Sequence, residues 1–285
     1  MIKIVTDSAG DISKEKVQAH DIEILPVLIT HKDKTFREFY DITTLEYYDL
    51  LLSSEEIPKT SQVSIEAFMQ CFKKAKENGI KQLLYISING NGSGTFQTAN
   101  ITRDMFYEEC GRDMQIEILD SETYSYIYGE VVVNCAIKVK EGKTFEEIIE
   151  FAKKEIASCE AYLGVFDLKY LKKSGRISGG AAFVGEALGL RPISYVGKGE
   201  VTVCEKVRGD LNVYKKLASK AKENCTNPEQ KIGYIAHGIC DEEHLDFLEN
   251  ELLNTVGFKK VERVLLGAAI TTNAGPKSVA VFYHK

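Results

Sequence analysis

The segment Asn89-Gly90-Asn91-Gly92-Ser93-Gly94-Thr95 follows an apolar, strand-like run from Leu83 to Ile88 and opens a helix-like stretch at Thr95. This arrangement suits an anion. The first turn of a helix carries backbone N–H groups without intrahelical partners and the positive end of the peptide dipoles, and glycine admits close approach. Ser93 and Thr95 add hydroxyl donors. The glycines fall as G-x-G-x-G, not G-x-G-x-x-G, and a serine capping a helix after a tight turn needs no ligand, so both readings stay open on this segment alone. A second hydroxyl-rich segment, Pro58-Lys59-Thr60-Ser61-Gln62-Val63-Ser64, precedes an amphipathic pattern in which Ile65, Phe68, Phe72 and Ala75 share a face. Ser64 is therefore the expected N-cap, and Thr60, Ser61 and Gln62 are left either to face a ligand or to cap the loop. The third segment, Leu168 to Ser178, sets Lys169, Lys172, Lys173 and Arg176 around Gly175. Arginine's planar fork suits a carboxylate or phosphate, and lysines in a last helical turn are equally favoured by the dipole.

Other combinations are weaker. Asp7-Ser8-Ala9-Gly10-Asp11 is an acidic strand end without clustered histidine or cysteine, which favours turn and cap roles over a metal. The histidines at 20, 31, 237, 244 and 284 never form H-x-x-x-H, and no spacing suggests a nucleophile triad or metal site. No G-x-x-x-x-G-K-[ST] segment occurs, so a P-loop enzyme is not supported.

The elements that must position these residues alternate. Strand-like runs Ile2 to Val5, Leu83 to Ile88 and Ile116 to Leu119 intersperse with helix-like segments Ser64 to Glu77, Thr95 to Cys110 and Tyr126 to Lys140, the pattern of βαβ units and a parallel sheet. Asp7, Ser87 and Asp120 then lie near carboxyl ends of strands, where open α/β sheets bind ligands. Thr144 with Glu147 is a capping box for a helix to Ala157. Beyond it come a basic, glycine-rich stretch Ala161 to Gly180, a small-residue helical run Ala181 to Leu190, and a hairpin of Pro192 to Val196 and Glu200 to Val207 turning at Gly197-Lys198-Gly199. Helices around Leu211 to Glu223 and Glu242 to Leu253 then alternate with strands Ile232 to His237, Val261 to Leu265 and Val279 to Tyr283. The expected division is 1–159 and 160–285.

A chain of 285 residues, 44% hydrophobic and 27% charged, suits two globular domains with substantial cores. The net charge of -6 argues against a nucleic-acid binder that relies on bulk electrostatics. Seven cysteines form no C-x-x-C and cannot pair completely within the chain, so reduced, mostly buried thiols are expected. With no charged leader before the first strand and no apolar run of about 18 residues, the expectation is a cytoplasmic protein without an integral membrane segment.

Taken together, Lys59-Thr60-Ser61-Gln62, Ser93-Gly94-Thr95-Phe96-Gln97 and Leu171-Lys172-Lys173-Ser174-Gly175-Arg176-Ile177-Ser178 resemble the DegV family of bacterial fatty-acid-binding proteins. Order and spacing match nearly end to end. Val5-Thr6-Asp7-Ser8, Asp41-Ile42-Thr43, Leu119-Asp120-Ser121, Arg191-Pro192-Ile193, Glu205-Lys206-Val207-Arg208-Gly209 and Gly275-Pro276 agree as well. The resemblance implies two α/β domains, the first with a mainly parallel Rossmann-like sheet and the second with a mixed sheet, and a fatty acid between them. It implies a lipid carrier, not an enzyme, with no cofactor of its own. It further implies that a separate ATP-dependent fatty acid kinase makes the acyl phosphate, with a place in phospholipid metabolism. On this carry-over Thr60, Ser61, Ser93, Gly94 and Thr95 serve the head group, Arg176 lies near its exposed face, and Asn273 stands where the family has a histidine. Asn273 can donate a hydrogen bond but cannot carry a proton, which bears on phosphotransfer more than on binding. Further departures are Arg37-Glu38-Phe39 for Arg-Asp-Gly, Val63 for proline and Ser174 for glycine.

Burying a chain of about sixteen carbons at roughly 0.8 kcal/mol per methylene yields on the order of 12 kcal/mol gross, before association costs. The tail would dominate affinity, and hydroxyls and amides at the mouth would set orientation. The segment Gly179 to Leu190 could line the tunnel or pack as ordinary core. Two other readings compete. In one, a nucleotide- or dinucleotide-using enzyme places phosphate on the Gly90–Thr95 loop and a ribose on Asp120. In the other, an adaptor docks an acidic partner through Lys169 to Arg176.

Overall fold

The computed structural model of the chain describes residues 1–176 and 189–285. In chain order the first half runs β1 (Ile2–Asp7), α1 (Lys14–His20), β2 (Glu23–Leu25), β3 (Leu28–His31), β4 (Lys34–Arg37), α2 (Thr44–Ser53), β5 (Lys59–Ser61), α3 (Ile65–Glu77), β6 (Gln82–Ser87), α4 (Thr95–Cys110), β7 (Gln115–Asp120), α5 (Tyr126–Lys140) and α6 (Phe145–Ser158). The second half runs β8 (Cys159–Val165), α7 (Leu168–Ser174), β9 (Leu190–Gly197), β10 (Glu200–Arg208), α8 (Asp210–Asn224), β11 (Ile232–His237), α9 (Glu242–Asn250), β12 (Lys260–Leu265), α10 (Ala268–Ala274) and β13 (Ser278–His284). Two compact units result, Met1–Thr43 with Pro58–Ala157 and Thr44–Ile57 with Ser158–Lys285.

The first unit is built on a parallel sheet ordered β2-β1-β6-β7. Leu83, Leu84, Tyr85 and Ile86 of β6 are all fully buried, which is why this strand reads as a continuous apolar run without alternation. Strand order reverses between β1 and β6, so Asp7 and Ser87 end the two strands that flank the crevice where such sheets bind ligands. A separate antiparallel sheet, β4-β3-β5, carries Thr60 and Ser61 in register with Ile29 and Leu28. Ser64 caps α3 by accepting from the Ala67 amide, and Thr144 and Glu147 exchange side-chain bonds with each other's amides, as the sequence indicates. Phe39 adopts φ +77°, a left-handed conformation that is strained for a bulky side chain.

The second unit holds a mixed sheet ordered β10-β9-β8-β13-β11-β12, in which β11 and β12 are parallel and the other pairs antiparallel. One face packs under α8 and α9 through Val213, Leu217, Leu245 and Leu248. The hairpin β9–β10 closes tightly, with Gly197 paired to Glu200 and positive φ at both Lys198 and Gly199. The stretch after residue 160, expected to be a basic and glycine-rich segment, begins instead with β8, an inner strand of this sheet. Ala161, Tyr162 and Val165 are buried, so packing overrides the interruptions at Glu160 and Gly164. The helical run expected over Ala181 to Leu190 lies outside the described residues as far as 188; Leu190 itself starts β9.

The units depart from a single cut at residue 159, because α2 belongs with the second. The Tyr47 hydroxyl bonds the Thr272 hydroxyl, and the Tyr48 hydroxyl donates to the Leu266 carbonyl at 2.6 Å. Both rings are buried, which removes them from the sheet that their sequence position suggests. None of the seven cysteines is in a disulfide; only Cys71 and Cys135 are buried, and burial pushes the pKa of each of these thiols up to about 12. Cys204 is exposed and the other four are partly buried, so the expectation of mostly buried thiols holds for two. No helix among the described residues is long and apolar enough to cross a membrane.

Candidate functional site

The glycine loop leaves the carboxyl end of β6 and is held from both sides. Its first amide, on Gly90, donates to both carboxylate oxygens of Asp120 at the end of β7, and the Asn89 amide donates to the Thr123 carbonyl at 3.0 Å. The Asn89 carbonyl accepts from the amides of Gly92 and Ser93, which winds the chain into the start of α4. Neighbouring side chains crowd the glycines: a Cβ would meet the end of Asp120 at Gly90, of Tyr124 at Gly92 and of Gln62 at Gly94, each of which would have to shift. Close approach of a ligand is thus not needed to explain them. The acid that a dinucleotide site would use for ribose is already engaged by the Gly90 and Glu122 amides.

Further along, the donors open up. Gly94 is the N-cap of α4 and offers no side-chain cap, and among the described residues the amides of Gly94, Phe96 and Gln97 have no acceptor. The 16-residue helix places its positive end there. Ser93 is partly buried, and its hydroxyl stands 2.9 Å from that of the fully buried Thr95.

The two hydroxyl-rich segments meet at this helix start. The Val63 amide donates to Thr95 Oγ1 at 3.3 Å, and the Gln62 amide group donates to Thr98 Oγ1 at 2.6 Å. A proline at 63 would lack that N–H, so the tie depends on a residue other than proline at this position. Thr60 is partly buried and Ser61 exposed on β5, immediately before the tie. Sequence reading identified the hydroxyls but missed Gln62–Thr98 and Val63–Thr95, because a backbone amide carries no signature of its partner.

Asp7 does more than the turn or cap role its neighbourhood suggests. Fully buried, it accepts the Tyr85 hydroxyl at 2.8 Å, the Tyr128 hydroxyl at 2.6 Å and the Ile88 amide at 2.9 Å, and makes no side-chain cap. Burial raises its pKa, an effect that these three donors and the Ala9 amide partly offset. Desolvation beside this acid also pushes both tyrosines well above their ordinary range. Asp7 thereby fixes the residue from which the glycine loop departs.

In the second unit, Arg176 and Asn273 come together from positions 97 residues apart. Arg176 Nη1 donates to Asn273 Oδ1 at 2.8 Å and to the Ser174 carbonyl at 2.9 Å, and Asn273 Nδ2 donates to the Ala269 carbonyl on α10 at 2.8 Å. Gly175, at φ +66°, ends α7 and turns the chain so that Arg176 projects exposed. Lys173 instead donates to the Ile57 carbonyl at 2.8 Å. Ile177, Ser178 and the segment 179–188 lie outside the described residues.

Comparison with known proteins follows the same residues from end to end. The family model described as "Uncharacterised protein, DegV family" matches residues 1–285. A DegV domain-containing protein of Clostridium perfringens is 32% identical over 289 residues, spanning 100% of this chain and 98% of that protein. The crystal structure of a fatty acid binding DegV family protein from Streptococcus agalactiae is 27% identical with a TM-score of 0.89, covering 100% of this chain and 98% of that one. A stearic acid-binding protein from Eubacterium ventriosum is 25% identical with a TM-score of 0.89 and the same coverage. With sequence and fold matched over its full length, the chain belongs to the DegV family.

Proposed function

We propose that this protein binds a long-chain fatty acid, buries its acyl chain and presents its carboxylate to a separate ATP-dependent fatty acid kinase, in the cytoplasm. The observation that carries the reading is the convergence of Gln62 and Val63 with Ser93–Thr98 at a helix start whose Gly94, Phe96 and Gln97 amides lack acceptors among the described residues. A carboxylate withdrawn from water must be hydrogen-bonded, and these amides with the Ser93 and Ser61 hydroxyls supply the donors. The fatty acid and stearic acid named for the Streptococcus agalactiae and Eubacterium ventriosum proteins support the ligand class. In this reading the second unit contributes acyl-chain burial, and the exposed Arg176 beside Asn273 faces the phosphoryl donor. The protein is a carrier, and phosphoryl transfer belongs to the kinase.

The loop argues against the nucleotide reading, since Asp120 fills the amide nearest β7 with negative charge and leaves donors for one carboxylate, not a pyrophosphate cradle. Isothermal titration separates the two. Stearate is expected to bind at one site and ATP and NAD not at all; tight binding of either nucleotide without binding of stearate would overturn the carrier.

A further inference from the structure

The hydroxyls of Ser93 and Thr95 share their protons in one direction. Thr95 is fully buried, and its Oγ1 meets the Val63 amide at 3.3 Å and Ser93 Oγ at 2.9 Å. The amide can only donate, so it takes a lone pair of Thr95 and leaves the Thr95 proton in need of an acceptor. Among the described residues that acceptor is Ser93 Oγ. The opposite direction, with Ser93 donating to Thr95, would strand the Thr95 proton in a fully buried place, at the desolvation cost of an unpaired donor. Ser93 does not face that cost, because it is only partly buried and its proton can reach solvent or a ligand.

Ser93 is then filled as an acceptor. Its oxygen receives the Thr95 hydroxyl at 2.9 Å and the Thr95 amide at 3.3 Å, which occupies both lone pairs. What remains on Ser93 is one proton. It stands beside the Gly94, Phe96 and Gln97 amides, which also have no acceptor among the described residues. Each of these groups donates. They complement a head group that only accepts, and an ionised carboxylate is such a group, whereas a protonated acid brings a donor of its own.

We infer that Thr95 is a positioning residue for the head group: its hydroxyl, committed to Ser93 by the Val63 amide, makes Ser93 a donor dedicated to an ionised carboxylate. The inference rests on the fatty-acid reading above and assigns the direction of its head-group bond.

A double-mutant cycle on stearate affinity, measured by isothermal titration, tests it with Ser93→Ala, Thr95→Val and the double variant, and with Thr95→Ser as the conservative control. Thr95→Val should weaken stearate binding about fivefold in wild type and less than about twofold in Ser93→Ala, because its effect passes through the Ser93 proton. Thr95→Ser keeps the hydroxyl and should bind stearate within about twofold of wild type. A merely loosened loop would misplace the amides as well and add its loss to that of Ser93→Ala. Independent losses in the double variant, or wild-type affinity in Thr95→Val, would therefore overturn the inference alone. Should Thr95→Val not fold, Thr95→Ala takes its place in the cycle with the same expected coupling. Absence of stearate binding by wild type would overturn the fatty-acid reading and the inference with it.

Discussion

Gly90 donates its backbone amide to both carboxylate oxygens of Asp120, at 3.0 and 3.1 Å, joining the ends of the paired strands β6 and β7. A Cβ at residue 90 would stand 2.5 Å from Asp120 Oδ2 and 3.2 Å from Phe96 Cδ1. Gly90→Ala is therefore expected to expel the carboxylate and lower stability by about 1–3 kcal/mol in urea denaturation. Removing the obstacle in Gly90→Ala/Asp120→Ala should recover part of that loss relative to additive single effects. Strict additivity would show that the two residues do not oppose each other.

Thr95 is the buried acceptor for the Val63 amide. Thr95→Val keeps the shape but leaves that amide unpaired, at an expected cost of about 1–2 kcal/mol by chemical denaturation. Thr95→Ser, which retains the oxygen, should lose less. Equal losses would assign the effect to the methyl group.

Ser93 touches the fold more lightly, with only a 3.3 Å bond from the Thr95 amide and its contact with the Thr95 hydroxyl. Ser93→Ala should change stability by no more than about 0.5 kcal/mol yet weaken fatty-acid binding about tenfold. A loss of stability matching the loss of affinity would make the serine a structural cap.

Asp41 offers a pH test. Side-chain and backbone bonds from Arg37 hold its carboxyl at about 2, below the ordinary 3.8. Because the folded value is the lower one, the pair's contribution is present above pH 3.8 and disappears as pH falls through about 2. Carbon-detected NMR titration should find this midpoint in wild type and a higher one in Arg37→Ala, still below the ordinary value because the residue 37 amide remains a donor. Stability at neutral pH should barely differ, since the pair is solvent-screened. An ordinary midpoint in wild type would remove the assigned interaction.

Much of the first unit was legible because its forces are local or periodic. The apolar runs of β1, β6 and β7, the amphipathic α3, the Ser64 cap and the Thr144–Glu147 box all follow from neighbours in sequence. What escaped depends on distant partners. β8 reads poorly because Glu160 interrupts it, yet that buried acid is bonded by the Tyr162 hydroxyl at 2.7 Å and paired with Lys285 at 2.6 Å. The short strands β3, β4 and β5 lack periodicity, and α2 joins the second unit through two tyrosine hydroxyls whose partners lie more than 200 residues on. At the candidate site the motifs revealed Ser93, Thr95, Thr60, Ser61 and Arg176 as types, and Asn273 through family resemblance. They did not reveal that Asp120 fills the glycine loop, nor that Asp7 anchors its departure point.

The central claim, that this chain carries a long-chain fatty acid, is tested most directly by gentle native mass spectrometry of the purified protein followed by lipid extraction. The account expects a mass increment of one fatty acid that is released on denaturation and recovered in the extract. Ligand-free protein that also takes up no added fatty acid would contradict it.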